Sequence, residues 1–394
     1  MVVPAATTVA GVGVGPDAIP PPSVVIFDFD PIARFAGIEV RWQILAIAAV
    51  VLGTILLGAV IAFVAQHRRD AAMARADRAR PETVDEVVRA AFGEAAEAAQ
   101  VGARLRLDDL LFIVIAGVAG AVVGGRLGYV LLHLDYYRVN TNAILDPSQG
   151  SLTLAGGLAV GVLTALLVAA VLGSPVRRWL GVAIVPLLIA LCLGKLSMVL
   201  GGEGQGLPSG GEWASAYLGP GPWGSLAPKL PSESSQVYEA ATTAGALVVV
   251  LLLALVGPLR RRPVILFSVG IGLWAIGRFA VAFTWRDPAL VESLNGDQVV
   301  TLGIALVCGL AIVGSIGAKV RERRATAVAV GELAAGAGPG GEADLPASDI
   351  EMPPADMPHP VDTTIAPSSA AETALAPASA PTGDASAPPA AGDA

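Results

Sequence analysis

Six ionisable residues stand within or at the ends of long apolar runs: Arg126, Lys195, Glu203, Glu239, Arg278 and Arg286. A cation at the centre of a membrane helix costs roughly 2.5–3.5 kcal/mol on insertion scales, so each needs a partner or a task. A guanidinium presents a flat fork of donors that matches phosphate oxygens two at a time. Cations converging on one cavity, with Glu203 and Glu239 beside them, would make a pocket for an anion. In a bilayer the commonest available anion is a lipid phosphate. The other reading is structural, with buried ion pairs that fasten helices together and do no chemistry. Residue types alone leave both open.

The elements that would position these groups are membrane helices. The chain has 394 residues, 54% hydrophobic and 15% charged, with a mean hydropathy of +0.67. A soluble protein of this length carries about a quarter charged residues. Seven apolar runs approach the ~20 residues that cross a hydrocarbon core. They cover about 43–65, 109–133, 151–173, 181–201, 238–257, 264–284 and 299–318. Only helices or closed barrels satisfy their backbone groups in lipid, so the expected fold is an all-α polytopic membrane protein. Frequent Gly and Ala in the runs favour close helix approach.

Loop charges predict the orientation. Arginines crowd the 66–108 loop; Arg177 and Arg178 follow the third run, Arg260, Arg261 and Arg262 the fifth, and Lys319, Arg321, Arg323 and Arg324 the seventh. The alternate loops are poor in cations, which puts the N-terminus outside and the C-terminus in the cytoplasm. The N-terminal residues have no basic n-region and do not read as a cleaved signal peptide. Residues 1–36 then form an extracytoplasmic segment, 37–318 the membrane domain and 319–394 a cytoplasmic tail. From about residue 325 that tail is Ala/Pro-rich and reads as disordered. The 66–108 loop can form a surface helix from about Pro81–Glu82. The outside segment 202–237 carries Trp213, Tyr217 and Trp223, aromatics suited to an interface. The histidines (His67, His133, His359) and cysteines (Cys192, Cys308) are scattered rather than set at ligand spacing, so neither a metal site nor a disulfide framework is expected.

In order along the chain stand GIEVRW (37–42), GGRLGYVL (124–131), LAGGLAVG (154–161), VPLLIALCLGK (185–195), GGEGQG (201–206), SSQVYEA (234–240) and GRFAVAF with RDP (277–288). This order, on seven runs with that orientation, resembles the prolipoprotein diacylglyceryl transferase family over about residues 37–318. The resemblance implies transfer of a diacylglyceryl group from phosphatidylglycerol to the lipobox cysteine thiol of an exported prolipoprotein, with glycerol phosphate leaving. It implies a multi-pass protein of the bacterial cytoplasmic membrane, with no cofactor and no nucleic-acid partner. It assigns catalysis to Arg278, Glu203 and Lys195. It assigns substrate binding to Arg126, Tyr129, Gly156, Gly157, Gly202, Gly206, Gln236, Tyr238 and Glu239.

The chain also departs from the family pattern. Ala155 stands where the family has a proton-handling histidine, Lys195 where it has an arginine, and Met198 where it has an asparagine. Gln43 replaces a tyrosine, Glu233 a histidine and Ala282 a glutamate, while Arg286 falls one position late. His133 would replace the missing imidazole only if the chain folds it back toward the cavity; otherwise it is an interfacial histidine in water. Local cations could also lower the thiol's pKa unaided. These departures leave a second expectation beside the enzyme: a non-catalytic relative that binds phospholipid or lipobox peptide.

Overall fold

The structure is a computed structural model that describes residues 24–78, 104–146 and 151–336. Seven long helices dominate it: α1 (Trp42–Arg78), α2 (Leu107–Leu132), α3 (Leu154–Val171), α4 (Val176–Val199), α5 (Ser235–Leu255), α6 (Pro263–Val281) and α7 (Gly296–Gly336). All seven are long and apolar enough to cross a membrane, and large apolar side chains such as Leu52, Leu163 and Leu306 stand exposed on their outer faces. Such a surface belongs in lipid, where it costs nothing to leave it uncovered.

The centre of the bundle is α4, α5 and α6. Ile184, Leu188 and Leu191 of α4 pack against Val250 of α5 and Leu266, Ile271 and Trp274 of α6. Helices α2 and α3 form an antiparallel hairpin on a different principle. A Cβ added to Gly124 would fall 2.6 Å from the Gly156 carbonyl oxygen, and one on Gly156 would fall 2.7 Å from that of Gly124. The two backbones touch where side chains would otherwise keep helices 8–10 Å apart. Farther along, Thr164 Oγ1 donates to Ala116 O at 3.0 Å. At the far end Ser174 Oγ donates to Asp109 Oδ2 at 2.8 Å and accepts from Trp179 Nε1 at 2.7 Å, tying the start of α2 to the start of α4.

Two differences from the expected elements have physical causes. Helices α1 and α7 run beyond the apolar stretches, to Arg78 and Gly336, because helix propensity in Ala- and Arg-rich sequence does not stop where hydrophobicity does. The molecule is also not wholly helical. Strand β1 (Val25–Phe27) pairs in parallel with β4 (Ala214–Tyr217), which pairs antiparallel with β5 (Ser232–Glu233). Strands β2 (Ile32–Phe35) and β3 (Ile38–Arg41) form a hairpin, as do β6 (Ala289–Val291) and β7 (Leu294–Asn295). Strands of two to four residues are too short for alternation to register in sequence. The β2–β3 turn places Ala36 and Gly37 at φ 50 and 82°, the pair of positive angles that a tight hairpin demands. The surface helix expected near Pro81, and the tail beyond 336, lie outside the described residues.

Helices α1, α3, α5 and α7 begin, and α2, α4 and α6 end, at the end of the bundle where all three sheets lie. Every candidate residue belongs to that end, Gly156 and Gly157 included, since both lie in the first turn of α3.

Candidate active site

Four consecutive helices each contribute one charge to a single network. Lys195, near the end of α4, places Nζ 2.9 Å from Glu239 Oε2. Glu239, one turn into α5, uses its other oxygen to accept from Arg278 Nη1 on α6. Arg278 also donates from Nη2 to Asp297 Oδ1 at 3.0 Å, with Nε 2.8 Å from Oδ2. Asp297 lies in the first turn of α7. Glu239 is 0% exposed, Lys195 6% and Arg278 7%. The set is neutral in sum, which is what makes its burial tolerable, since an unpaired charge there would cost several kcal/mol. Trp285 covers it, its ring centroid 4.7 Å from Lys195 Nζ and 5.7 Å from Arg278 Cζ, a favourable placement of cations on an aromatic face.

Asp297 is held by a cap that runs both ways. Asn295 Oδ1 accepts from the Gln298 backbone N–H at 2.9 Å, and Gln298 Oε1 accepts from the Asn295 N–H at 2.9 Å. This reciprocal box closes the N-terminus of α7, and Asn295 Nδ2 fastens it to Ala282 O at the end of α6 at 3.1 Å. Asp297 was not among the residues that sequence reasoning selected. The N-x-x-Q spacing at 295–298 before an apolar run was the available signal.

One face of this network borders a cavity of about 590 Å³. Lys195, Arg278 and Asp297 form one wall; Glu203, Tyr129 and His133 lie elsewhere around it, with Asp287 and Trp285 above. Glu203 is 39% exposed at its side chain, accepts from Gln43 Nε2 at 2.8 Å and lies 3.9 Å from Arg41 Nη1. Asp287 is exposed on its solvent side, yet partial desolvation by the protein around it pushes its carboxyl above the ordinary range, with Asp297 adding to the rise; Arg278, His133 and Lys195 oppose it.

A second, apolar groove of about 320 Å³ opens between α2, α3 and α4. Cavity and groove lie one after the other along the α3–α4 seam. The cavity is lined by Leu154 of α3 and by Leu191 and Gly194 of α4, and the groove by Leu158, Gly161 and Ala165 of α3 and by Leu187 and Ala183 of α4. Steps of three and four residues keep one helix face on the seam throughout.

The remaining sequence-selected residues do not line the cavity. Arg126 donates from Nε to Ile144 O at 2.7 Å and from Nη2 to Ala143 O and Asp146 O at 2.7 and 2.9 Å. Its guanidinium is committed to backbone carbonyls of the segment after α2, where a short 3₁₀ turn (Thr141–Ile144) ends. Gly156 and Gly157 are contacts of the α2–α3 seam, and Gly157 lines the apolar groove instead. Gly202 adopts φ 71° and rests on Trp223, shaping the turn into Glu203. Gly206 lets its loop reach α5, since a Cβ there would lie 2.2 Å from both Ser235 Oγ and Thr284 O. Arg286 clamps the same loop, donating to Gly206 O at 2.5 Å and to Ser232 Oγ at 2.8 Å. Gln236 Nε2 donates to Tyr217 Oη at 3.3 Å, while burial holds that phenol up at about 12. Tyr238 Oη donates to Glu233 Oε2 at 2.8 Å.

A profile of the family described as prolipoprotein diacylglyceryl transferase matches residues 32–314. A phosphatidylglycerol–prolipoprotein diacylglyceryl transferase of Beijerinckia indica subsp. indica is 32% identical over 216 residues, covering 53% of this chain and 74% of that protein. A protein of the same name from Cupriavidus pinatubonensis is 33% identical over 220 residues, covering 52% of this chain and 72% of that protein. One from Nitrobacter hamburgensis is 28% identical over 217 residues, covering 52% and 71%. The profile match runs from β2 into α7 and so includes the whole charge network and both walls of the cavity. This chain belongs to the prolipoprotein diacylglyceryl transferase family.

Proposed function

We propose that this chain transfers the diacylglyceryl group of phosphatidylglycerol to a cysteine thiol of a lipobox-bearing prolipoprotein, at the cavity walled by Lys195 and Arg278. The observation that carries the reading is the pair of buried cations bordering a cavity of about 590 Å³, with an apolar groove farther along the same α3–α4 seam. An ammonium has three donors, and one of Lys195's meets Glu239; a guanidinium has five, and three of Arg278's face Glu239 and Asp297. Two donors on each remain for phosphate oxygens. The carboxylates hold both cations in place before any lipid arrives, so no reorganisation is needed as charge develops on the leaving phosphate. With the phosphate against this wall, the acyl chains run along the α3–α4 groove and the glyceryl carbon faces the cavity.

The reaction forms a bond from sulfur to the glyceryl carbon and breaks the bond from that carbon to the phosphate oxygen. The thiol gives up a proton, and glycerol phosphate departs with the electron pair. The arginines of the 66–108 loop and the basic residues after the third, fifth and seventh helices favour a cytoplasmic location for the opposite end of the bundle. The cavity then opens outside the bacterial cytoplasmic membrane, where exported precursors emerge.

The test uses the full chain in proteoliposomes with phosphatidylglycerol labelled in its acyl chains and a lipobox peptide. The peptide gains the mass of the diacylglyceryl group and glycerol phosphate is released. Vesicles of phosphatidylethanolamine give neither product. Absence of transfer from phosphatidylglycerol, or transfer to a Cys→Ser peptide, overturns the reading.

A further inference from the structure

We propose that His133 is the proton acceptor for the attacking thiol, its Nε2 serving the cavity from the end of α2. The proposal rests on the transferase reading and names the group that makes the nucleophile. His133 lines the cavity, and among the described residues it is the cavity's imidazole. Its Nδ1 lies 2.9 Å from Tyr129 O. A carbonyl oxygen only accepts, so in the neutral ring the proton sits on Nδ1 and Nε2 carries the free lone pair. The ring is stacked on Tyr129 at 4.2 Å between centroids, which fixes its plane.

The other basic groups of the cavity are engaged or unsuited. Glu203 accepts from Gln43. Asp297 is bound by Arg278 through both oxygens. Glu239 lies behind the wall, held between Lys195 and Arg278. Lys195 and Arg278 are the cations that would face the phosphate. His133 is exposed, as is Asp287, so its ring exchanges a proton with water between turnovers. The step balances: the thiol proton passes to Nε2, sulfur takes the glyceryl carbon, and the phosphate oxygen leaves with the bonding pair. Imidazolium then releases its proton to solvent.

The charged groups that bear on His133 come from several elements. Asp287, in the segment after α6, lines the same cavity and is near enough for its charge to bear on the ring. Asp135 follows two residues along its own chain. Leu132, its neighbour, packs on Gly296 at the start of α7, which brings the Asp297 end of that helix close. Lys195, Arg278 and Glu203 complete the cavity's charges. The competing base is Asp287, and the experiment must separate the two.

The full chain in phosphatidylglycerol vesicles is assayed for transfer to a lipobox peptide across pH 5 to 8, as native protein, His133→Asn and Asp287→Asn. Asparagine at 133 keeps a donor for Tyr129 O and lacks the base. Native kcat rises with pH as the neutral ring, the form able to accept the thiol proton, becomes the populated one. His133→Asn lowers kcat by about 10²–10⁴-fold and abolishes that ascending limb, with KM for phosphatidylglycerol unchanged. Asp287→Asn retains the limb. A His133→Asn protein with the native rate and limb, or an Asp287→Asn protein that alone loses the limb, overturns this proposal and leaves the transferase reading standing. A native chain that transfers nothing at any pH overturns the transferase reading, and this proposal with it.

Discussion

Lys195 and Glu239 meet at 2.9 Å across the α4–α5 contact, and the second oxygen of the same carboxylate is taken by Arg278. One fully buried carboxylate thus holds two cations from two helices. Replacing Glu239 with Gln keeps the shape and removes the charge, leaving Lys195 buried without a counter-ion while Arg278 retains Asp297. Breaking a buried pair from one side costs about 3–5 kcal/mol. The expected result is a large fall in Tm in detergent. Adding Lys195→Met to Glu239→Gln removes the stranded cation and recovers a substantial part of the loss. A double variant no more stable than the single would refute this view of the pair.

Arg126→Leu separates two roles for an arginine inside a membrane helix. Its three bonds go to carbonyls of residues 143, 144 and 146, so its loss frees the segment after α2. Hydrogen bonds to a charged group contribute about 1.5–3 kcal/mol each in favourable settings. The expected outcome is faster proteolytic nicking near residues 140–146 and a lower Tm, with phosphatidylglycerol affinity within twofold of native. A selective loss of lipid affinity with an intact loop would return Arg126 to the head-group site.

These charged residues also show what was legible in the chain. Charge inside an apolar run marks Lys195, Glu239 and Arg278 as costly and therefore employed, and span lengths place them at one end of the bundle. Sequence does not say which partner each takes. Arg126 takes backbone carbonyls, which every residue carries and no letter marks. The glycines of the 156–157 and 201–206 motifs are visible as motifs, but whether a glycine admits a substrate or a neighbouring helix depends on what lies opposite. Gly156 faces Gly124 and Gly206 faces Ser235. Asp297 escaped notice because an acid in the first turn of a helix is ordinary capping chemistry, and only the fold brings it to Arg278.

Asp287 predicts a pH dependence of stability whose sign follows from its environment. Burial first, then Asp297, raises its carboxyl above the ordinary range, so between the two values the folded state binds more protons than the unfolded state. Stability contributed by this group therefore falls as pH rises from about 4 through the folded value. Asp287→Asn removes the penalty. The variant should have a higher Tm than native at neutral pH, with the gap closing as the pH is lowered toward 4. A gap that widens on acidification would mean that the cations around Asp287 outweigh its burial.

Ala183 tests the groove. It lines the apolar seam on α4 and is exposed there, so Phe fits without displacing core atoms yet fills space an acyl chain would use. Moving an acyl chain from bilayer to groove yields no hydrophobic gain, because lipid tails are as apolar as the groove wall. The head-group cations should therefore set affinity, and the groove should set where the glyceryl carbon sits. Misplacing a reacting centre by about 1 Å costs on the order of 10²-fold in rate. Ala183→Phe is accordingly expected to lower kcat by tenfold or more and to change phosphatidylglycerol binding less than threefold, with Tm unaltered. A short-chain phosphatidylglycerol, which does not reach Ala183, should be transferred by native and variant protein at similar rates. Equal kcat for native and variant with long-chain lipid would place the acyl chains on another face of the bundle.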